Sequence, residues 1–87
     1  MRIKEGYTIK KLGMGHVVVP IGQASMEFNG VIRLNESGAF LWRSIADGMD
    51  TKDKLLAAMQ EHFDDLDKGT AVRDLDEFLD SIAFALE

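Results

Sequence analysis

The spacing of apolar positions changes period once along the chain, close to residue 35. Before that point, Tyr7, Ile9 and Leu12 alternate loosely with polar positions, and Val17, Val18 and Val19 form a β-branched run that Pro20 stops. Gly13, Met14 and Gly15 stand between the two segments and predict a hairpin turn. The same Gly-x-Gly is no phosphate loop, because no helix follows it to supply a cluster of N-terminal amides. Residues 21–25 read as a loop. Met26, Glu27 and Phe28 then meet Asn29-Gly30, a strong hairpin signal because both residues tolerate positive φ, and residues 26–28 either pair with the next strand as a small hairpin or only lead into it. Val31, Ile32, Arg33 and Leu34 predict a further strand.

From Asn35 onward the period is helical. Asn35 is the expected N-cap of a first long helix over residues 36–47, with Glu36 favoured in its first turn by the helix dipole. Leu41, Trp42, Ile45 and Met49 share one face, and Gly48 suits a left-handed stop. Asp50 or Thr51 caps a second helix carrying Leu55, Leu56, Met59 and Phe63, expected to fray near Asp64 and Asp65. Asp67 caps the last helix, with Leu66 placed to staple onto Ala71. That helix is expected over residues 68–86, about 28 Å at 1.5 Å per residue. Its main stripe is Val72, Leu75, Leu79, Ile82 and Leu86, and Ala71, Phe78 and Ala85 form a second apolar row. The second row is either a wide core face or the wall of an open groove. The fold class expected is α+β: a three-stranded antiparallel sheet followed by three α-helices, winged-helix-like in order.

Size limits the possibilities. Eighty-seven residues make one domain, residues 1–87, and a second core could not be closed. With 46% hydrophobic and 29% charged residues and one proline, the chain is globular rather than disordered. Without cysteine there is no disulfide framework, thiolate catalysis or thiolate metal site. No apolar run approaches the roughly 18 residues of a membrane span, and the N-terminus has no signal-peptide core, so a cytoplasmic protein is expected. Charge is segregated within the net −5: residues 1–35 carry a balance of +3 and residues 36–87 a balance of −8. An acidic helical half repels phosphate backbones, which disfavours nucleic acid as a partner.

Candidate chemistry is sparse. His16 and His62 lack ligand-like spacing, and a lone histidine is more often a packing or surface residue. Residues 64–69 have the look of a calcium loop. With Asp65 and Asp67 at positions 1 and 3, however, Gly69 stands where a ligand belongs and Asp76 where a bidentate glutamate is expected. A helix-capping acidic turn is the simpler reading. Asp80-Ser81-Ile82 invites comparison with the phosphopantetheine site of acyl carrier proteins, but Ser81 is too near the end of the last helix, and three strands precede the first. No carboxylate stands beside a candidate general base. No catalytic residue, metal site or cofactor is expected.

One block is distinctive. Ile32, Arg33, Leu34, Asn35, Glu36, Ser37, Gly38, Ala39, Phe40, Leu41 and Trp42 resemble the strand-to-helix signature of PqqD-like proteins: LNE, a small pair, then an aliphatic residue and tryptophan. Val17 to Pro20 resemble that family's second strand, and Phe28, Asn29 and Gly30 the approach to its third. Asp47-Gly48 resembles the end of its first helix, residues 51–55 the start of its second, and residues 72–79 its acidic third helix. The resemblance covers nearly the whole chain, departing at the C-terminus, where many relatives continue with a Gly-Leu-aliphatic tail.

The resemblance implies a RiPP recognition element: a non-catalytic peptide chaperone that captures the leader segment of a ribosomally made precursor and delivers it to a modifying enzyme. In PQQ synthesis that enzyme is a radical S-adenosylmethionine protein. It implies that the leader adds as a strand to the third strand, facing the third helix. The residues themselves point the same way, because an unpaired strand edge is completed by an extended peptide and nearby pockets select its side chains. The expected peptide-binding residues are Val31, Ile32, Arg33 and Leu34 on the strand, with Ala71, Asp74, Glu77, Phe78 and Ser81 on the helix. The alternatives are a winged-helix DNA-binding regulator, which would need a basic recognition helix, and a non-catalytic domain whose groove is a homodimer seam.

Overall fold

The computed structural model describes residues 1–27 and 31–87. Strands β1 (Tyr7–Leu12) and β2 (Gly15–Pro20) form the expected hairpin, and β3 (Ile32–Leu34) pairs with β2 to give an antiparallel sheet of order β1-β2-β3. The register sets Lys10 opposite Val17 and Val17 opposite Arg33. Gly13 takes the left-handed φ of 61° at the first turn position, where a glycine carries no Cβ penalty.

Between β2 and β3 the structure corrects the sequence reading. Residues expected to be a loop and then an extended lead-in form a one-turn helix, α1 (Ala24–Glu27). The Ser25 amide and hydroxyl both donate to the Gly22 carbonyl, at 3.1 and 2.7 Å, and this local bonding outcompetes an extended backbone. The Asn29-Gly30 hairpin signal and Phe28 lie outside the described residues.

Three helices follow: α2 (Glu36–Ala46), α3 (Lys52–His62) and α4 (Lys68–Ser81). Their starts are fixed by the expected caps. Asn35, Thr51 and Asp67 accept from the amides of Gly38, Lys54 and Thr70 at 2.8, 3.2 and 2.8 Å. Gly48, at φ 110°, lets the chain turn away after α2. The last helix is shorter than its apolar pattern predicts. After Ser81 the backbone leaves helical geometry at Ile82 and makes a 3₁₀ turn, Ala83–Ala85. Pairing with the N-terminal segment replaces the last helical turn. Lys4 donates its amide to Ala85 at 2.7 Å, Glu87 donates to Arg2 at 2.8 Å, and Ile3 bridges Leu86.

The core lies between one face of the sheet and the helices. Val18 and Leu34 meet Leu41, Trp42, Ile45, Leu55, Met59, Leu75, Phe78, Leu79 and Ile82 in one cluster. Ala71, Phe78 and Ala85 belong to it, while Val72 is 39% exposed. The second row of α4 is therefore the wide core face, and Val72 is not part of the stripe assigned to it. Among the described residues, no helix is long and apolar enough to cross a membrane.

Candidate functional site

In the sheet order, β3 has β2 on one side and no partner among the described residues on the other. Beside it lies a cavity of about 250 Å³, lined by Arg33, Leu34, Asn35, Ser37, Gly38, Asp74, Glu77, Phe78 and Ser81. The end of β3 and the first turn of α2 form one wall and α4 the other. Cofactor and drug pockets usually occupy about 300–1,000 Å³, so this space suits one or two side chains better than a large cofactor.

Each wall is positioned by local chemistry. Asn35 Oδ1 accepts from the Gly38 amide at 2.8 Å and from the Ser37 hydroxyl at 3.0 Å, so the residue that caps α2 also forms the corner of the cavity. Gly38 is buried against β3. A Cβ there would stand 3.3 Å from Leu34 Cβ and 3.2 Å from Asn35 Oδ1, which explains why a small residue follows Asn-Glu-Ser. On the other wall, Asp74, Glu77, Phe78 and Ser81 recur at helical spacing along one side of α4. Leu34 and Phe78 supply the apolar surface. Arg33, Asp74 and Glu77 supply charge.

Asp74 stands 3.8 Å from Arg73 Nε in an exposed, weak pair, leaving its carboxylate available to a ligand. Glu77 is exposed and has no ion pair among the described residues. Ser81 closes α4, and its hydroxyl donates to the Phe78 carbonyl at 2.7 Å, which leaves its oxygen free to accept.

The sequence-predicted positions separate into three groups. Arg33, Leu34, Asp74, Glu77, Phe78 and Ser81 meet at the cavity. Val31 is exposed and Ile32 half-buried along the same strand segment, beside it rather than in it. Ala71 is a correction: it is wholly buried in the core and offers no surface to a ligand. Phe78 lines the cavity but is only 7% exposed, so it belongs to the core as well, rather than lying off the core stripe. Asn35, Ser37 and Gly38 were not among the expected site residues. Their signal was present as a cap and a small pair, which reads first as helix initiation.

Elsewhere the fold joins residues that sequence spacing kept apart. His16 and His62 line a second cavity, of about 190 Å³, with Glu36, Phe40, Arg43 and Phe63. His62 stacks on Phe40 at 4.3 Å and meets Phe63 edge-on at 4.7 Å. No cluster of three or more His, Asp or Glu side chains suited to a metal occurs among the described residues.

A search of curated proteins gives no match. Among solved structures, TbiB1 in complex with the TbiA(beta) leader peptide matches with a TM-score of 0.75 at 20% identity, over 100% of this chain and 95% of that one. At that identity the likeness establishes the fold. The family model for coenzyme PQQ synthesis protein D (PqqD) matches residues 15–83. Because that match spans most of the sequence, from the second strand to the turn after the last helix, the chain belongs to the PqqD family.

Proposed function

We propose that this protein is a peptide-binding chaperone that captures the leader segment of a ribosomally made precursor by strand addition to β3. The observation that carries the proposal is the open edge of β3 beside a cavity with Leu34 and Phe78 at its base. An extended peptide on that edge gains main-chain hydrogen bonds, and alternate side chains then project toward α4, where pockets select among them. Val31, Ile32, Arg33 and Leu34 provide the edge; Asp74, Glu77, Phe78 and Ser81 provide the facing wall. The complex of TbiB1 with a leader peptide supports the same reading through a shared fold.

The role is non-catalytic. The captured leader holds the core of its precursor near a modifying enzyme, of the radical S-adenosylmethionine type where the chemistry follows PQQ synthesis. DNA reading is disfavoured by α4, where Lys68 and Arg73 are outnumbered by Asp74, Asp76, Glu77 and Asp80. Panning a displayed library of random peptides against the folded protein tests the proposal. Enrichment of extended peptides that compete with one another for one site is expected. A library that yields no binder, or binders unaffected by Glu77→Lys and Phe78→Leu, contradicts it.

A further inference from the structure

The sheet has a second face, turned away from the helices and partly exposed, which meets the groove at Arg33. Residues paired across strands share a face, so Val18 and Leu34 point to the helices, while Lys10, Val17 and Arg33 form one row on the opposite side, with Val17, only 7% exposed, buried between the two cations. Lys10 and Arg33 are exposed and make no ion pair among the described residues. At the hairpin tip next to this row, Leu12 is 58% exposed and Met14 fully exposed. The turn itself needs only Gly13, so its geometry does not account for a bare methionine and leucine side by side with a cationic row.

A cavity of about 400 Å³ lies at this tip, and its lining includes Leu12, Met14, Val17, Arg33 and Leu34. Arg33 and Leu34 also line the groove on the α4 side, so the two spaces meet at the end of β3. Among the described residues, no carboxylate lines the tip cavity, whereas Asp74 and Glu77 line the groove.

We propose that the hairpin tip and the Lys10–Arg33 row form a second recognition surface for the same peptide, one that takes an acidic, apolar segment continuing from the strand on β3. The inference rests on the reading of the groove as a peptide site. The two ends of the track carry opposite charge, so they select a peptide whose own charge is segregated. A uniformly acidic peptide is repelled at α4, and a uniformly basic one at the tip. Met14 and Leu12 add apolar contact, and the flexible methionine adapts to whichever side chain arrives.

Peptides enriched from a random displayed library on the parent protein serve as probes, compared with the same peptides shortened to remove the acidic segment. Lys10→Glu combined with Met14→Ser is expected to keep the parental Tm, since both side chains are exposed, and to lower affinity for the full probes about tenfold at low salt. Removing the acidic segment should weaken binding to the parent but not to the double variant, the signature of two groups that touch. If the full probes bind the folded double variant as tightly as the parent while Glu77→Lys weakens them, the second surface is refuted and the groove stands. A library with no binder refutes both. Lys10→Glu and Met14→Ser made singly supply the same readout should the pair fold poorly.

Discussion

Gly38 stands so close to Leu34 that a single added carbon would press on it, with Cβ to Cβ at 3.3 Å. The contact joins the first turn of α2 to the end of β3 and sets the corner of the groove. Gly→Ala inside a helix ordinarily stabilises by roughly 0.5–1 kcal/mol. Overpacking costs about 1–3 kcal/mol, and here the crowded atoms include the stiff Leu34 Cβ rather than only a flexible side-chain end. Gly38→Ala is therefore expected to leave Tm unchanged or lower and to weaken peptide binding. A clear rise in Tm would contradict the close packing.

Phe78 serves the core and the groove together. Phe78→Ala would confuse the two roles, since truncating a buried phenylalanine costs about 3–5 kcal/mol. Phe78→Leu keeps most of the volume and is expected to cost only about 1–2 kcal/mol of stability, read by chemical denaturation. Peptide affinity of the folded variant should nevertheless fall by about 1 kcal/mol or more, as when a contact anchor is cut back. Unchanged affinity would make Phe78 a core residue alone.

Trp42, 3% exposed, is the largest side chain of the core cluster and does not line the groove. Trp42→Ala is expected to cost about 3–5 kcal/mol, a large share of the roughly 5–15 kcal/mol that holds a domain together. A variant that melts like the parent would overturn the placement of α2.

The cap of α4 gives a pH dependence. The Thr70 amide and hydroxyl hold the Asp67 carboxyl below its ordinary range. A carboxyl whose pKa is depressed by folding stabilises above its unfolded pKa and loses that contribution as pH falls through the folded value. Thermal melts of Asp67→Ala should therefore show a lower Tm than the parent at neutral pH, with the gap narrowing below about pH 4. A gap that is constant with pH would show that the charge of Asp67 plays no part.

The features that were legible in the sequence are those fixed by near neighbours. Asn35, Thr51 and Asp67 cap helices through amides three residues away, and such bonds are local. The groove was half legible, because period places Asp74, Glu77, Phe78 and Ser81 on one side of α4. Its width and corner depend on how closely Gly38 approaches Leu34, a tertiary distance. The length of α4 is hidden from the sequence for the same reason. The apolar pattern continues to Leu86, but the N-terminal segment competes for the backbone of Ala85 and Leu86, and no pattern within the helix reveals a partner that far away in sequence. Ala71 and Val72 exchanged places because adjacent rows on a helix differ by one residue of phase.

If a peptide lies along β3 and against α4, amide chemical shifts during titration with an enriched peptide will report it residue by residue. The largest changes are expected on residues 31–35 and on residues 74–81, with new protection from hydrogen exchange at the β3 edge. Changes confined to α3, with β3 and α4 unmoved, would contradict it.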